Sequence, residues 1–272
     1  MPGKPVSWSW FHSPDFSMPV VRRRVSEDLV DLVCELGGAM ATRGRSLWSS
    51  PVRDEASAYY TALSRLRRDG VLVTPPRRGL GLKIQVSEGH RPDDILRPEG
   101  LWGQKWGGVW SLLIYDIAEA DRGMRDQFRR YLKRLRMGCL QKSVWVSPRD
   151  IRPEYDDWAQ GLHLDIQSYL FESRTVLGRG SADVVARAWD WKSILRAHAW
   201  YIGACTAAVR RLESGGPGGD DLATVAREEL TAYRTALDED PLLPAAIWPA
   251  GYTGRKVAAL HRRFTRALRR HL

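Results

Sequence analysis

The sequence predicts an α+β chain in three parts: an N-terminal winged helix-turn-helix, a central ferredoxin-like α+β domain and an α-helical C-terminal domain. Three observations carry this reading. Three helical patterns precede two β-rich runs around a basic turn within residues 21–90. Strand and helix patterns alternate over residues 109–177, and beyond residue 178 the apolar spacing is helical to the end. A chain of 272 residues has room for two or three such parts, since domains run to about 100–200 residues.

The composition, 43% apolar and 27% charged, is that of an ordinary globular protein. No run reaches the roughly 18–20 apolar residues that a membrane span needs, and "MPGKPVSWSWFHSPDF" lacks the apolar centre of a signal peptide, so a cytoplasmic protein without a membrane partner is expected. Cys34, Cys139 and Cys205 lie far apart with no CxxC pair, which suggests neither a disulfide framework nor a zinc site. Lys and Arg number 42 against 32 Asp and Glu, a net charge of +10, which favours a polyanionic partner. Arginine dominates, as suits bidentate phosphate contacts, although a GC-rich genome gives the same bias.

Residues 1–20 are read as an N-terminal arm and 21–90 as the winged helix. In "SEDLVDLVCELG", Ser26 and an acidic first turn precede Leu29, Val30, Leu32, Val33 and Leu36 at helical spacing, and Gly37-Gly38 ends the run. "TRGRSLWSSP" forms a weaker second helix; "RDEASAYYTALSRLRRDG" forms a third, with Gly70 just past its end. "VLVTPPRRGLGLKIQV" then reads as two strands around a Pro-Pro and Gly-rich turn. In a winged helix-turn-helix the third helix enters the major groove. Tyr59, Leu63 and Leu66 fall on its inner side. Ser57, Tyr60, Thr61, Ser64 and Arg65 are therefore expected to read bases, and Arg43, Arg45, Arg68, Arg77, Arg78 and Lys83 to bind the DNA backbone. The plain alternative is a solvated polar face.

Residues 91–108, "RPDDILRPEGLWGQKWGG", have two prolines and four glycines without a period and are read as a linker. The central domain, 109–177, opens on "VWSLLIYDI", a short apolar run that fits a buried strand. The helix "DRGMRDQFRRYLKRLRM" places Met124, Phe128, Leu132 and Leu135 on an inner stripe beneath many cations, with Gly138 as its expected C-cap. "CLQKSVWVSP" reads as a strand, "RPEYDDWAQGLHL" as a helix and "IQSYLFES" as a strand, an order of the split-βαβ kind.

In the helical domain, 178–272, "SADVVARAWDWKSILRAHAWYIGACTAAVRRLES" reads as one broken helix or two, and "LATVAREELTAYRTALDED" as another. The closing "RKVAALHRRFTRALRRHL" holds seven Lys and Arg and no carboxylate, either a solvated outer face or a contact for DNA or an effector.

Catalytic constellations are missing from the sequence: there is no GxSxG, HExxH, phosphate-binding loop or dinucleotide fingerprint, and the six histidines are scattered. No enzyme and no cofactor are expected. Asp116, ending the apolar strand, reads as an N-cap or a partner for nearby arginines, or as a carboxylate holding a cation with waters and a symmetry mate's carboxylate.

Residues 110–148, with "YD" closing a strand, an Arg-rich helix, a Gly and "QKSVW", resemble the Cas-two family of CRISPR spacer integration, in which Asp116 would match the metal aspartate. A longer resemblance is to the PaaX family of transcriptional repressors. "YYTALSRLRRDGVL" resembles its recognition helix, "KWGGVWSLLIYDI" and "RGMRDQFRRYLKRLRMGCLQKSVWVSP" its middle domain, and "AYRTALDEDPLLPAAIWPAGYTGRKVAALHRRF" its C-terminal signature. The resemblance implies a homodimer, with the Cas-two-like domain as dimerisation core, that represses genes of phenylacetate or related aromatic catabolism by binding a pseudo-palindrome in double-stranded DNA. It also implies release by an aryl-CoA or acyl-CoA effector, for which Trp106 and Trp110 are candidates at the ring and Arg125 and Arg129 at the phosphates, with core packing the favoured role of either tryptophan. Tyr60 stands where the family commonly has arginine, and the first twenty residues do not match. The alternative is a Cas-two-like metal-dependent nuclease or CRISPR-associated adaptor using Asp116.

Overall fold

The computed structural model describes residues 10–11, 64–73, 85–86, 94–118, 121–161, 167–174, 179–215 and 222–271. After helical residues 64–68, its elements are β1 (Leu72–Val73), β2 (Gln85–Val86), a 3-10 turn (Asp94–Leu96), α1 (Glu99–Trp102), β3 (Trp110–Asp116), α2 (Arg122–Arg134), β4 (Gly138–Gln141) and β5 (Val144–Ser147). There follow α3 (Arg152–Gly161), β6 (Gln167–Ser173), α4 (Ser181–Ala188), α5 (Trp191–Gly215), α6 (Leu222–Leu237), a second 3-10 turn (Ala245–Ile247) and α7 (Gly254–Arg269). The chain divides into two compact units, one of residues 98–195 with 239–252, the other of residues up to 97 with 196–238 and 253–272.

The first unit is built on an antiparallel sheet in the order β4-β5-β3-β6. The chain order β3-α2-β4-β5-α3-β6 makes this the split-βαβ arrangement expected from the sequence. The stretch "CLQKSVWVSP" forms two strands and not one, a hairpin turning at Lys142-Ser143. That turn lacks the usual Asn-Gly chemistry and is held from outside: Tyr115 Oη donates to the Lys142 carbonyl at 3.1 Å, and the Tyr115 amide donates to the Ser143 carbonyl at 3.1 Å.

Alternation along β3 gives the sheet two buried faces. Leu113 and Tyr115, with Trp145 of β5, pack against Phe128 and Leu132 of α2, Met137 and Ile151. Trp110 and Val146 face the other way, against Val184, Val185 and Ala188 of α4 and against Leu243 and Ile247. The chain leaves α2 through Arg136 in the left-handed region, φ 60°. Met137 N–H reaches the Leu132 carbonyl at 3.1 Å and Arg136 N–H the Lys133 carbonyl at 2.9 Å, a Schellman end sealed by the buried Met137 and Leu132 side chains. Gly138, the expected cap, has another task. A Cβ there would stand 2.5 Å from Ala188 Cβ and 2.7 Å from the Trp189 ring, so only glycine lets the strand and the end of α4 approach this closely.

The "DPLLP…WPAGY" segment is folded around a buried carboxylate. Asp240 accepts from the Leu242 amide and from Tyr252 Oη, both at 2.7 Å, and this local turn holds Leu242 at φ 49°. Two arginines clamp the segment onto the sheet domain: Arg136 donates to the Asp240 carbonyl, and Arg149 Nη2 to those of Pro241 at 2.6 Å and Leu242 at 3.0 Å. Edge-to-face contacts of Trp102 with Trp248 and Tyr252 complete the packing. Trp102, buried, and its helix α1 lie inside the stretch read as a linker.

Among the described residues, the second unit is mainly helical, with the β1-β2 ribbon beside the helices. Tyr201 and Leu212 of α5, Tyr233 and Leu237 of α6, and Val257, Phe264 and Leu268 of α7 form its buried interior. Within it Glu229 accepts from Tyr201 Oη at 2.5 Å and meets His261 Nδ1 at 2.9 Å, while Tyr233 stacks on His261 at 4.0 Å. Burial and the Glu229 charge hold the Tyr201 hydroxyl well above the ordinary tyrosine range. Two residues of the predicted arm belong to this interior. Phe11 is buried, its ring 6.4 Å from Tyr201 and 6.1 Å from Phe264; the Trp10 amide donates to Glu228 at 2.8 Å, and Arg211 lies 4.0 Å over the Trp10 ring.

Candidate nucleic-acid interface

The sequence-predicted recognition helix is described from Ser64 onward. It closes as read, with Gly70 at φ 68°; Val71 N–H bonds to the Leu66 carbonyl at 3.0 Å and Gly70 N–H to that of Arg67 at 3.1 Å, again a Schellman end. The chain passes straight into β1, which pairs antiparallel with β2 in the register Leu72↔Val86 and Val73↔Gln85. Leu66 is turned inward, while Ser64, Arg65 and Arg68 are exposed. Asp69 lies 3.7 Å from Arg65 Nε and 4.0 Å from Arg68 Nε; exposed pairs of this kind are worth about 0–1 kcal/mol, little enough for a phosphate to replace the carboxylate. Arg43, Arg45, Ser57, Tyr60, Thr61, Arg77, Arg78 and Lys83 lie outside the described residues.

The four effector candidates fall into two separate pairs. Trp106 and Trp110 make an edge contact at 5.2 Å, and Trp106 Nε1 donates to the Val109 carbonyl at 2.9 Å. Both belong to the packing on the α4 side of the sheet. Arg125 and Arg129, one turn apart on α2, stand on the opposite side, Arg129 donating weakly to the Lys142 carbonyl at 3.4 Å. The four therefore do not line one pocket, because alternation along β3 sends Trp110 and the residues under α2 to opposite faces.

Asp116 is exposed at the end of β3, opposite Gln167 of β6. The N-cap of α2 is Asp121, so Asp116 does not cap that helix. Among the described residues, no three His, Cys, Asp or Glu side chains converge to hold a metal ion, and no helix is long and apolar enough to cross a membrane.

Sequence reasoning missed the polar clamp on the C-terminal signature. Arg136 and Arg149 act through backbone carbonyls about a hundred residues away, which no local pattern announces; only the paired prolines of "DPLLP" hint at a specific turn. Burial and the adjacent Asp240 charge push the Tyr252 hydroxyl well above its ordinary range, so it stays protonated and donates.

A split-βαβ sheet with the ordered DPLLP segment folded onto it defines one unit, and a buried helical core defines the other. Residues 103–185 match the family model described as the PaaX protein central Cas2-like domain, and residues 189–271 match that of the PaaX-like protein C-terminal domain. Together these take in more than half of the chain: the protein belongs to the PaaX family. Among solved structures it is similar to the uncharacterized protein Rv0674 from Mycobacterium tuberculosis, at 20% identity and a TM-score of 0.52, over 87% of this chain and 98% of that one, a likeness of fold. No curated protein matches the chain.

Proposed function

We propose that the protein is a DNA-binding transcriptional repressor of the PaaX type. It binds a pseudo-palindromic operator as a homodimer through an N-terminal winged helix, and an aryl-CoA or acyl-CoA thioester releases it. It is a regulator and not an enzyme. The observation that carries the reading is the helix that ends at Gly70 and runs directly into an antiparallel ribbon, exposing Ser64, Arg65 and Arg68, in a chain of the PaaX family with net charge +10. Ser57, Tyr60, Thr61, Ser64 and Arg65 then read the groove, and Arg43, Arg45, Arg68, Arg77, Arg78 and Lys83 hold the backbone.

The central domain supports dimerisation. β6 is an edge strand, and its Tyr169 and Phe171 stay 59% and 48% exposed while stacking at 6.3 Å, an apolar pair beside an open backbone edge that a second copy of the same strand would cover. Sedimentation of the wild type and of Phe171→Glu tests this: a dimer that becomes monomeric in the variant is expected, and a monomeric wild type contradicts it. An effector shifts repression only if it binds the DNA-incompetent form more tightly, so thermal shift with acyl-CoAs, followed by release of bound duplex, tests that part.

A further inference from the structure

We propose that the outer face of α7 is a second contact for the DNA backbone, separate from the winged helix; the inference rests on the reading of the chain as a DNA-binding protein. α7 and its C-cap residue carry seven Lys and Arg, from Arg255 to Arg270, and no carboxylate. Its apolar stripe, including Val257, Phe264 and Leu268, is turned into the helical unit, and all seven cations are exposed. An ordinary solvated helix face mixes signs, because Glu and Lys one turn apart stabilise it by about 0.2–0.5 kcal/mol per pair while like charges cost a similar amount. Here Arg262 and Arg266, and Arg266 and Arg270, are like pairs at four-residue spacing. The helix dipole favours the cations of the last turn but opposes Arg255 and Lys256 in the first. Like charges at this spacing repel, and a polyanion along the face would offset that repulsion.

Arg263 forms a two-pronged pair with Glu213 of α5, at 2.7 and 3.1 Å. Beside that pair Arg266 and Arg270 line an open cleft of about 230 Å³. Among the described residues Lys256, Arg266 and Arg270 make no ion pair. The charged groups are almost all guanidinium, whose flat fork matches phosphate oxygens in pairs. Sixteen residues of helix span about 24 Å, along which duplex DNA presents a charge about every 1.7 Å. The exposed face of α7 has no apolar flank of the kind a helix needs to lie in a membrane surface, so a phosphodiester backbone is the partner it fits.

The test is fluorescence anisotropy of the full chain with a labelled random-sequence duplex, over a salt series, for wild type, Lys256→Gln/Arg266→Gln/Arg270→Gln and Arg65→Ala/Arg68→Ala. Arg263 is left in place so that its Glu213 pair survives, and matching thermal melts confirm folding. The triple α7 variant is expected to bind on the order of tenfold or more weakly and to flatten the slope of log K against log salt by about 0.9 per lost contact. An α7 variant with wild-type affinity and slope, while the Arg65/Arg68 variant weakens, overturns this inference alone. A wild type that binds no duplex overturns the DNA-binding reading with it. Lost binding to anionic phosphatidylserine vesicles with duplex binding intact also overturns it, and assigns the face to lipid headgroups.

Discussion

Arg149 Nη2 donates to two successive carbonyls, of Pro241 at 2.6 Å and of Leu242 at 3.0 Å, and so ties the loop after β5 to a turn 92 residues further along the chain. Removing the guanidinium leaves both carbonyls short of a charged donor. Arg149→Ala is expected to destabilise the sheet domain by about 2–3 kcal/mol, with Arg149→Lys in between, as read from urea unfolding.

Gly138 gives a sharper steric test. Alanine there places a methyl 2.5 Å from Ala188 Cβ and 2.7 Å from the Trp189 ring, against atoms already packed. A loss of about 1–3 kcal/mol is expected for Gly138→Ala, measured by thermal or urea unfolding. Gly107→Ala, with nothing within 4 Å of its Cβ, serves as the neutral control.

Much of this fold is legible in the sequence. The alternation of "VWSLLIYDI" with a basic amphipathic helix, and glycine at 70, fall where local chemistry decides the backbone, and there the structure follows the pattern. Where distant contacts decide, the pattern says less. The "QKS" turn carries no turn signature because Tyr115 and Arg129 hold it. The left-handed residue after α2 is Arg136, while Gly138, two positions later, is fixed by the Trp189 ring and Ala188 packed against it. Trp10 and Phe11 sit in a periodless arm whose partners, such as Tyr201 and Phe264, lie far along the chain. At the candidate site the inward Leu66 and outward Ser64, Arg65 and Arg68 were readable from helical spacing. The separation of Trp110 from Arg125 and Arg129 was not, because it depends on which sheet face each helix covers.

Phe11 makes the arm's contribution measurable. Its ring is buried between Tyr201 and Phe264, so Phe11→Ala opens a cavity and is expected to cost the helical unit about 3–5 kcal/mol. Phe11→Leu should lose less, and the two are compared by thermal unfolding. Deletion of residues 1–11 should match or exceed the alanine variant.

Two buried tyrosines predict an alkaline limit. Burial, with Glu229 and Asp240 respectively, raises Tyr201 and Tyr252 above the ordinary tyrosine value of about 10. A group whose folded pKa is raised contributes stability that is complete below its unfolded value and declines as pH climbs above it, since the unfolded chain then releases the proton first. Stability is thus expected to be level in these groups below about pH 10 and to fall above it. Tyr201→Phe and Tyr252→Phe should each flatten that alkaline fall, at the cost of a hydrogen bond at neutral pH. The readout is urea unfolding across the pH series.

Duplex binding tests the central claim most directly. The equilibrium constant of the full chain for genomic operator fragments is measured from low to moderate salt, for wild type and for Arg65→Ala/Arg68→Ala, both exposed beside Asp69 at the end of the proposed recognition helix. Tight binding by the wild type, weakened in the variant with a salt slope lower by about 0.9 for each lost phosphate contact, is the predicted result. Equal affinity and equal slope for the two proteins would contradict it.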